Sequence, residues 1–403
     1  MADAAAFKPL PLRKHTGTAH RRLRPEFSDF GLEDLEKLTE LQAVELLAKH
    51  FWGSATEMPC PHCGTIDTHY WRRREMRWKC KCCDKTFSVT SGTPFAGHKL
   101  PLLKILKITV SWINGASGKP ALQLMRDWRV AYGTAFTICH RLRESLVRGH
   151  NTGIVCGVHE MDGLDVLGRN HAAKRGKPQV VKSTGKKEFP KHLLKDEQAA
   201  GFVGPAKPPK WDKKANQHPD RRILLVTRLR GRSKGMGAVA TFVAVAITES
   251  AKAVFTLARR HASAESAIMS DEDPSYAAFG SYFAAHETVN HSETFSRDGR
   301  ISNNLAESFN MRMKRLIRGV YLNVSQKYLA DYGCEAAWRE DVRELPTSRK
   351  LGHLLSMVGR VGVSLWWCGF SHGQHRGHEL TVDGELPAKA RGRRKGQQPK
   401  PPR

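Results

Sequence analysis

Five cysteines fall within two dozen residues of this chain: Cys60, Cys63, Cys80, Cys82 and Cys83. They form two C-x-x-C turns, CPHC (Cys60, Cys63) and CKCC (Cys80, Cys83), with 16 residues between them. Two such turns at that distance can set four thiolates tetrahedrally around one Zn2+, and the spacing is that of a zinc ribbon. Cys82 and His62 are alternative donors, but C-x-x-C geometry favours Cys83. Four thiolates leave no open coordination position, so the site reads as structural rather than catalytic. Trp78 and Phe87 are placed to pack around so small a module, whose stability would come largely from the metal. The flanking WRRREMRWK carries five basic residues and two tryptophans, a surface suited to phosphate contact. Cys139, Cys156, Cys334 and Cys368 are scattered. With no apolar core in the N-terminal MADAAAFKPLPLRKH to act as a secretory signal, a reducing cytoplasm without a disulfide framework is expected.

A second set of residues is acidic. Asp162 follows a run ending VHEM, Asp271 follows AIMS, and Glu307 lies in NNLAESFNMRMKR. Carboxylates delivered by two strand ends and a helix can converge on a pair of divalent cations. Two such ions, about 3.5–4 Å apart, stabilise the attacking and leaving oxygens of phosphoryl transfer. Mg2+ suits this role because it takes one or two carboxylates and keeps room for water and phosphate oxygens. Spacing alone does not choose among neighbours: Glu160 shares a strand face with Asp162, and Asp165 and Asp273 are close by. In the last of these segments Asn304 and Glu307 are i,i+3 neighbours, and Lys314, two turns beyond Glu307, returns to the same face. A carboxylate and a lysine on one stripe can address a metal and a DNA backbone together. The same periodicity also describes a solvated face of mixed charge.

The elements that must position these groups follow from pattern. Residues 1–57 read as a basic, Pro-containing arm followed by an amphipathic helix or helix pair from Leu32 to Trp52, and residues 58–96 hold the cysteine turns. In 97–150 a helix from Leu100 to Ile113 is broken by Gly115–Gly118. A second starts near Lys119-Pro120, Val130–Gly133 reads as a turn, and Thr134–Val147 as a third helix: a helix-turn-helix pattern. From 151 to 345 the character changes. Ile154–Asp162, Arg222–Arg228 and Val239–Ile247 read as strands, with Ala267–Ser270 and Glu287–His291 as shorter ones. Helices are expected at Ser250–His261, Ser275–Ala285 and Asn303–Arg318. A Lys-, Gly- and Pro-rich insertion occupies about 169–219. Residues 346–403 read as irregular and end in a basic tail, LPAKARGRRKGQQPKPPR.

Composition sets the partner. The 403 residues hold 66 Lys+Arg against 39 Asp+Glu, a formal charge of +27 with a pI near 10. A surplus of that size calls for an anionic partner, with nucleic acid the leading candidate. The longest apolar stretch, around Ala238–Ile247, is far short of the roughly 20 residues a spanning helix needs, which argues against a membrane protein.

In this order the pieces resemble the zinc-ribbon DDE transposases of bacterial insertion sequences. The resemblance spans roughly residues 30–345. It rests on CPHCG…WKCKCCDKTFSVTSGTPF, TAFTICHRLRESL, HEMDG, SDEDPSY, VNHSE, ISNNLAESFNMRMKR and QKYLADYGCEAAWRED. It implies an α+β multidomain fold: a zinc ribbon and helix-turn-helix followed by an RNase H-like domain, a mixed sheet flanked by helices. It implies Asp162 from HEMDG, Asp271 rather than Asp273 from SDEDPSY, and, from NLAESF, Glu307 in preference to the alternative Asn304, as catalytic ligands of two Mg2+. Asn304 would give support beside them, and Lys314 would be the basic companion. It implies DNA transposition: binding of double-stranded DNA at terminal inverted repeats, strand cleavage, and joining to target DNA by a homodimer or larger assembly at the bacterial nucleoid. A non-catalytic DNA-binding regulator and a nuclease without joining activity are the alternatives.

Overall fold

The computed structural model describes residues 25–167, 179–180, 187–188, 221–231, 237–289, 301–370, 376, 378–382 and 384–387. The basic arm before residue 25, the extreme C-terminal tail and nearly all of the insertion lie outside the described residues. The exceptions within the insertion are two short strands that pair with each other, β7 (Gln179–Val180) and β8 (Lys187–Glu188).

The chain begins with the expected helix pair, α1 (Leu32–Glu36) and α2 (Glu40–Trp52). Thr39 opens α2 with a capping box: its Oγ1 accepts from the Gln42 N–H while Gln42 Oε1 accepts from the Thr39 N–H. The ribbon follows as β1 (Met58–Pro59) paired with β2 (Ile66–Asp67), then a three-stranded sheet of β3 (Tyr70–Arg72), β4 (Arg77–Lys79) and β5 (Thr86–Phe87). Trp78 and Phe87 are cross-strand partners and stack at 5.8 Å, with Trp52 from α2 edge-on to Trp78 at 5.5 Å. So the ribbon's small core is aromatic and shared with the helix before it.

Three helices come next: α3 (Leu102–Ile113), α4 (Ala121–Trp128) and α5 (Tyr132–Gly149). The α4–α5 turn is shorter than Val130–Gly133 suggested, because Tyr132 and Gly133 already belong to α5 and Arg129 ends α4 at φ +47°. From Ile138 onward α5 is buried on most sides, whereas Tyr132 and Gly133 in its first turn are exposed.

The segment after Pro346, expected to be irregular, forms a helix, α9 (Thr347–Arg360). Leu351, Leu354, Leu355 and Val358 recur at helical spacing and are at most 2 % exposed, in one core with Val44 and Leu47 of α2 and Ile105 and Leu106 of α3. Gly359 makes the crossing possible, since a Cβ there would sit 2.9 Å from the Phe51 ring.

The second unit is a five-stranded mixed sheet in the order β10-β9-β6-β11-β12. Its strands are β6 (Val158–Leu167), β9 (Arg221–Arg230), β10 (Ala238–Ala246), β11 (Ala267–Ser270) and β12 (Ala285–Thr288). The first three are antiparallel, and β11 runs parallel to both β6 and β12. Strand β6 runs five residues past the expected end at Asp162, because β9 pairs with it as far as Leu167↔Arg221. Helix α6 (Ala251–His261) and the 3-10 turn Pro274–Ser281 cover one face, over Met161, Ile223 and Leu225. Helices α7 (Asn304–Arg315) and α8 (Leu329–Asp341) cover the other, over Leu164, Val166, Leu224 and Val226. The result is the α+β architecture expected: a four-cysteine ribbon, then helices, then a mixed sheet flanked by helices. A hairpin, β13 (His378–Thr381) with β14 (Gly384–Pro387), completes the described chain.

Buried charges join the two units. Arg143 of α5 donates to Glu335 of α8 at 2.7 Å, with both side chains at most 1 % exposed. Glu335 also accepts from Tyr321 Oη at 2.7 Å and from Arg339 Nε at 2.9 Å. Arg339 in turn donates to the Trp112, Ile113 and Gly115 carbonyls at and just past the C-terminal end of α3, where a cation meets the negative end of the helix. No described helix is long and apolar enough to cross a membrane.

Candidate active site and metal centre

The ribbon's two turns are built alike. In each, the first cysteine's carbonyl accepts from the residue four positions on (Gly64 N–H, Asp84 N–H), and its N–H donates to the residue five positions on (Thr65, Lys85). Gly64 and Asp84 take φ of +77° and +58° to close the turns. The Sγ atoms of Cys60, Cys63, Cys80 and Cys83 all lie within 4.8 Å of one another. Cys60 and Cys83 are 3.7 Å apart, and Cys63 and Cys80 are 3.6 Å apart. A tetrahedral Zn–S bond length near 2.3 Å sets neighbouring sulfurs roughly 3.8 Å apart, so the four thiolates fit a zinc ion closely. Backbone N–H groups of His62, Cys82 and Cys83 point at Sγ of Cys60 and Cys80, the outer support such sites use. Cys82 is exposed and outside the group, as C-x-x-C geometry indicated.

Asp162 occupies the middle of β6, facing α7. Its Oδ2 accepts from Asn310 Nδ2 at 2.8 Å, and its Oδ1 accepts from the Gly163 N–H at 2.8 Å. Burial, followed by the charges of Asp271 and Glu307, pushes its carboxyl up to about 6 despite those two hydrogen bonds. Asp271 comes immediately after β11. The parallel register Met269↔Glu160, carried two residues further, places Asp271 beside Asp162. Glu307 is one turn into α7, half-buried, while Asn304 and Lys314 are exposed towards the two ends of that helix.

The neighbouring carboxylates have other work. Glu160 is fully buried; it accepts from Arg230 Nη2 at 2.6 Å and from the Leu305 N–H at 2.7 Å, which pins the N-terminus of α7 to β6. Asp165 points to solvent and pairs with Arg221. Asp273 caps the 3-10 turn by accepting from the Ser275 N–H at 2.8 Å. Glu160 thus sets the helix that presents Glu307, and neither Asp165 nor Asp273 competes for the crevice.

Two contributors went unread in the sequence. The amide that touches Asp162 belongs to Asn310, not Asn304, and the signal available was its position on the Glu307 stripe at i+3. The other is Glu249, in the turn between β10 and α6. Burial first, then Asp271, Asp162 and Asp273, push its carboxyl up to about 7, against a hydrogen bond from Tyr276. Among the described residues only the four cysteines form a metal-donor group within 4.8 Å. Hard oxygen donors whose charges oppose one another fit Mg2+.

Residues 38–86 match the transposase zinc-ribbon domain, and residues 196–341 match the ISXO2-like transposase domain. The second match takes in Asp271, Asn304 and Glu307 and begins after β6, which carries Asp162. No curated protein and no solved structure matches this chain. A ribbon match followed by a transposase-domain match in one chain, in the order the motifs gave, supports a zinc-ribbon DDE transposase of an insertion sequence.

Proposed function

We propose that this chain transposes DNA: it binds the terminal inverted repeats of its element, hydrolyses one strand at each end, and joins the freed 3′ ends to target DNA. The observation that carries the reading is the register that sets Asp271, just after β11, beside Asp162 of β6, with Glu307 of α7 near enough for its charge to act on Asp162. These three would hold Mg2+, which when bound supplies charge stabilisation for phosphoryl transfer. Asn310 holds the Asp162 carboxylate on the α7 side of the sheet, and Glu160 fixes the terminus of the helix that carries Glu307. Asn304 and Lys314 bracket Glu307 on that helix, and Lys314 is placed to meet a DNA phosphate.

The exposed first turn of α5 (Tyr132, Gly133) is the part of a recognition helix that meets base edges. Arg72, Arg73, Arg74 and Arg77 are exposed on the β3–β4 hairpin and suit sequence-independent phosphate contact. Zn2+ in the four-cysteine site would hold that hairpin in shape. Pairing two element ends requires a dimer or larger assembly on DNA, and the cytoplasm is where that DNA lies.

The test is strand transfer of an oligonucleotide carrying the element's own terminal repeat. Asp162→Ala and Asp271→Ala should each abolish Mg2+-dependent cleavage and leave repeat binding nearly intact. Cleavage undiminished in either variant overturns the site. Binding without cleavage by the unsubstituted chain favours a regulator, and cutting without joining a nuclease.

A further inference from the structure

Glu249 sits where a side chain of Gly163 would otherwise be. A Cβ built on Gly163 falls 2.3 Å from both carboxylate oxygens of Glu249, so only the absence of that atom admits the carboxylate. Tyr276 Oη donates to Glu249 Oε1 at 2.7 Å, and Tyr276 itself is 1 % exposed in the core under the 3-10 turn. Successive residues of a strand face opposite ways. Asp162 and Glu249 therefore close on β6 from its two faces, at the point where β11 has ended and Asp271 follows.

Asp271, Asp162 and Asp273, all acidic, act on Glu249. A neutral tyrosine as donor orients a carboxylate without neutralising it. Across Asp162, Asn310 is only 5 % exposed and its Oδ1 is buried with no hydrogen-bond partner, a further acceptor left beside the same carboxylate. Acceptors gathered from two sheet faces are the surroundings a divalent cation needs.

We propose that Glu249 is a fourth carboxylate ligand of the divalent-cation site, with Tyr276 as its positioning residue and Gly163 as the gap that admits it. The assignment rests on Asp162 being a ligand of that site.

The probe is Mn2+, titrated by calorimetry and by electron paramagnetic resonance into the zinc-loaded full chain without DNA, so that no turnover enters the readout. Glu249→Gln keeps the shape and can still accept from Tyr276. It should weaken Mn2+ binding at least 10-fold while the melting temperature holds or rises. Tyr276→Phe keeps the carboxylate and should weaken binding several-fold at unchanged melting temperature. Gly163→Ala, which displaces Glu249 without removing its charge, should do the same. Asp162→Asn is the control: if it weakens Mn2+ binding and Glu249→Gln does not, the Glu249 assignment is wrong and the wider site stands. If neither changes binding, both fall. Fe2+ with peroxide cuts backbone next to the ion, and in the unsubstituted chain should cut at 162–163 and at 248–250. Cuts at the first and none at the second would likewise overturn the role of Glu249.

Discussion

Replacing Glu335 with Leu should cost more than any surface charge in this chain. Glu335 is fully buried and accepts from Arg143 at 2.7 Å, Arg339 at 2.9 Å and Tyr321 at 2.7 Å. Burial works against its charge, yet Arg143 and Arg339 outweigh that and hold its carboxyl below the ordinary range. Without it, Arg339 keeps its three carbonyl partners, but Arg143 is left charged at 1 % exposure with, among the described residues, the Tyr332 and Tyr321 rings against its guanidinium, at 4.1 and 5.1 Å. Breaking a buried pair from one side costs about 3–5 kcal/mol. At roughly 2–4 °C per kcal/mol for a unit of this size, the melting temperature should fall by roughly 10 °C. Arg143→Met should do comparable harm.

The double variant Arg143→Met, Glu335→Leu removes both charges together and should recover most of the loss, because well-packed apolar replacements of a buried pair are often close to neutral. Differential scanning fluorimetry and urea unfolding of the four proteins complete the cycle. A Glu335→Leu protein within about 1 kcal/mol of wild type would refute the reasoning, as would a double variant no more stable than the worse single.

The ribbon should depend on its metal: Cys63→Ser or a strong chelator should unfold residues 58–87, seen as new proteolytic cuts there, since structural zinc supplies about 10–16 kcal/mol in small modules. Intact digestion patterns after chelation would contradict this. Without added Mg2+, the zinc-loaded protein should lose stability as pH rises. Asp162 and Glu249 titrate near 6 and 7 when folded, above their unfolded values, so the folded state holds protons that the unfolded state has released. Their contribution is full below about pH 4 and is lost as pH rises through about 6 for Asp162 and about 7 for Glu249. Asp162→Asn should flatten part of that slope in thermal melts, and an unchanged slope counts against it. Affinity for the element's ends should fall steeply with salt, by about 0.9 in log K per log salt for each phosphate neutralised, and a flat response would contradict the account of the +27 charge.

The features legible in the sequence were those whose chemistry is local. Four cysteines in two turns declare their purpose by spacing, and the strands and helices that carry the acids declare themselves by periodicity. Which carboxylate does which job was not local: Glu160, Asp165 and Asp162 lie on one strand, and the contacts separate a cap for α7, a surface ion pair and a carboxylate held by Asn310. The Asn310–Asp162 contact spans 148 residues of chain, and Glu249 meets Gly163 across a sheet, so neither leaves a mark on its own segment. Helix α9 did leave one, in Leu351, Leu354, Leu355 and Val358. Its glycines and basic residues obscured it, although those glycines are what let α2 approach.

That last helix has a consequence for synthesis on the ribosome. Most domains close in order as the chain emerges, amino end first. Here α2, α3 and α5 cannot bury their shared apolar faces until Leu351–Val358 has been made, about 200 residues after α5 ends. At about 5–20 residues per second that is a delay of roughly 10–40 s, during which the amino-terminal helices stand open. A nascent chain therefore completes this unit only after the whole carboxylate-bearing sheet has been translated, and premature termination anywhere before α9 yields a product whose leading half remains unfinished.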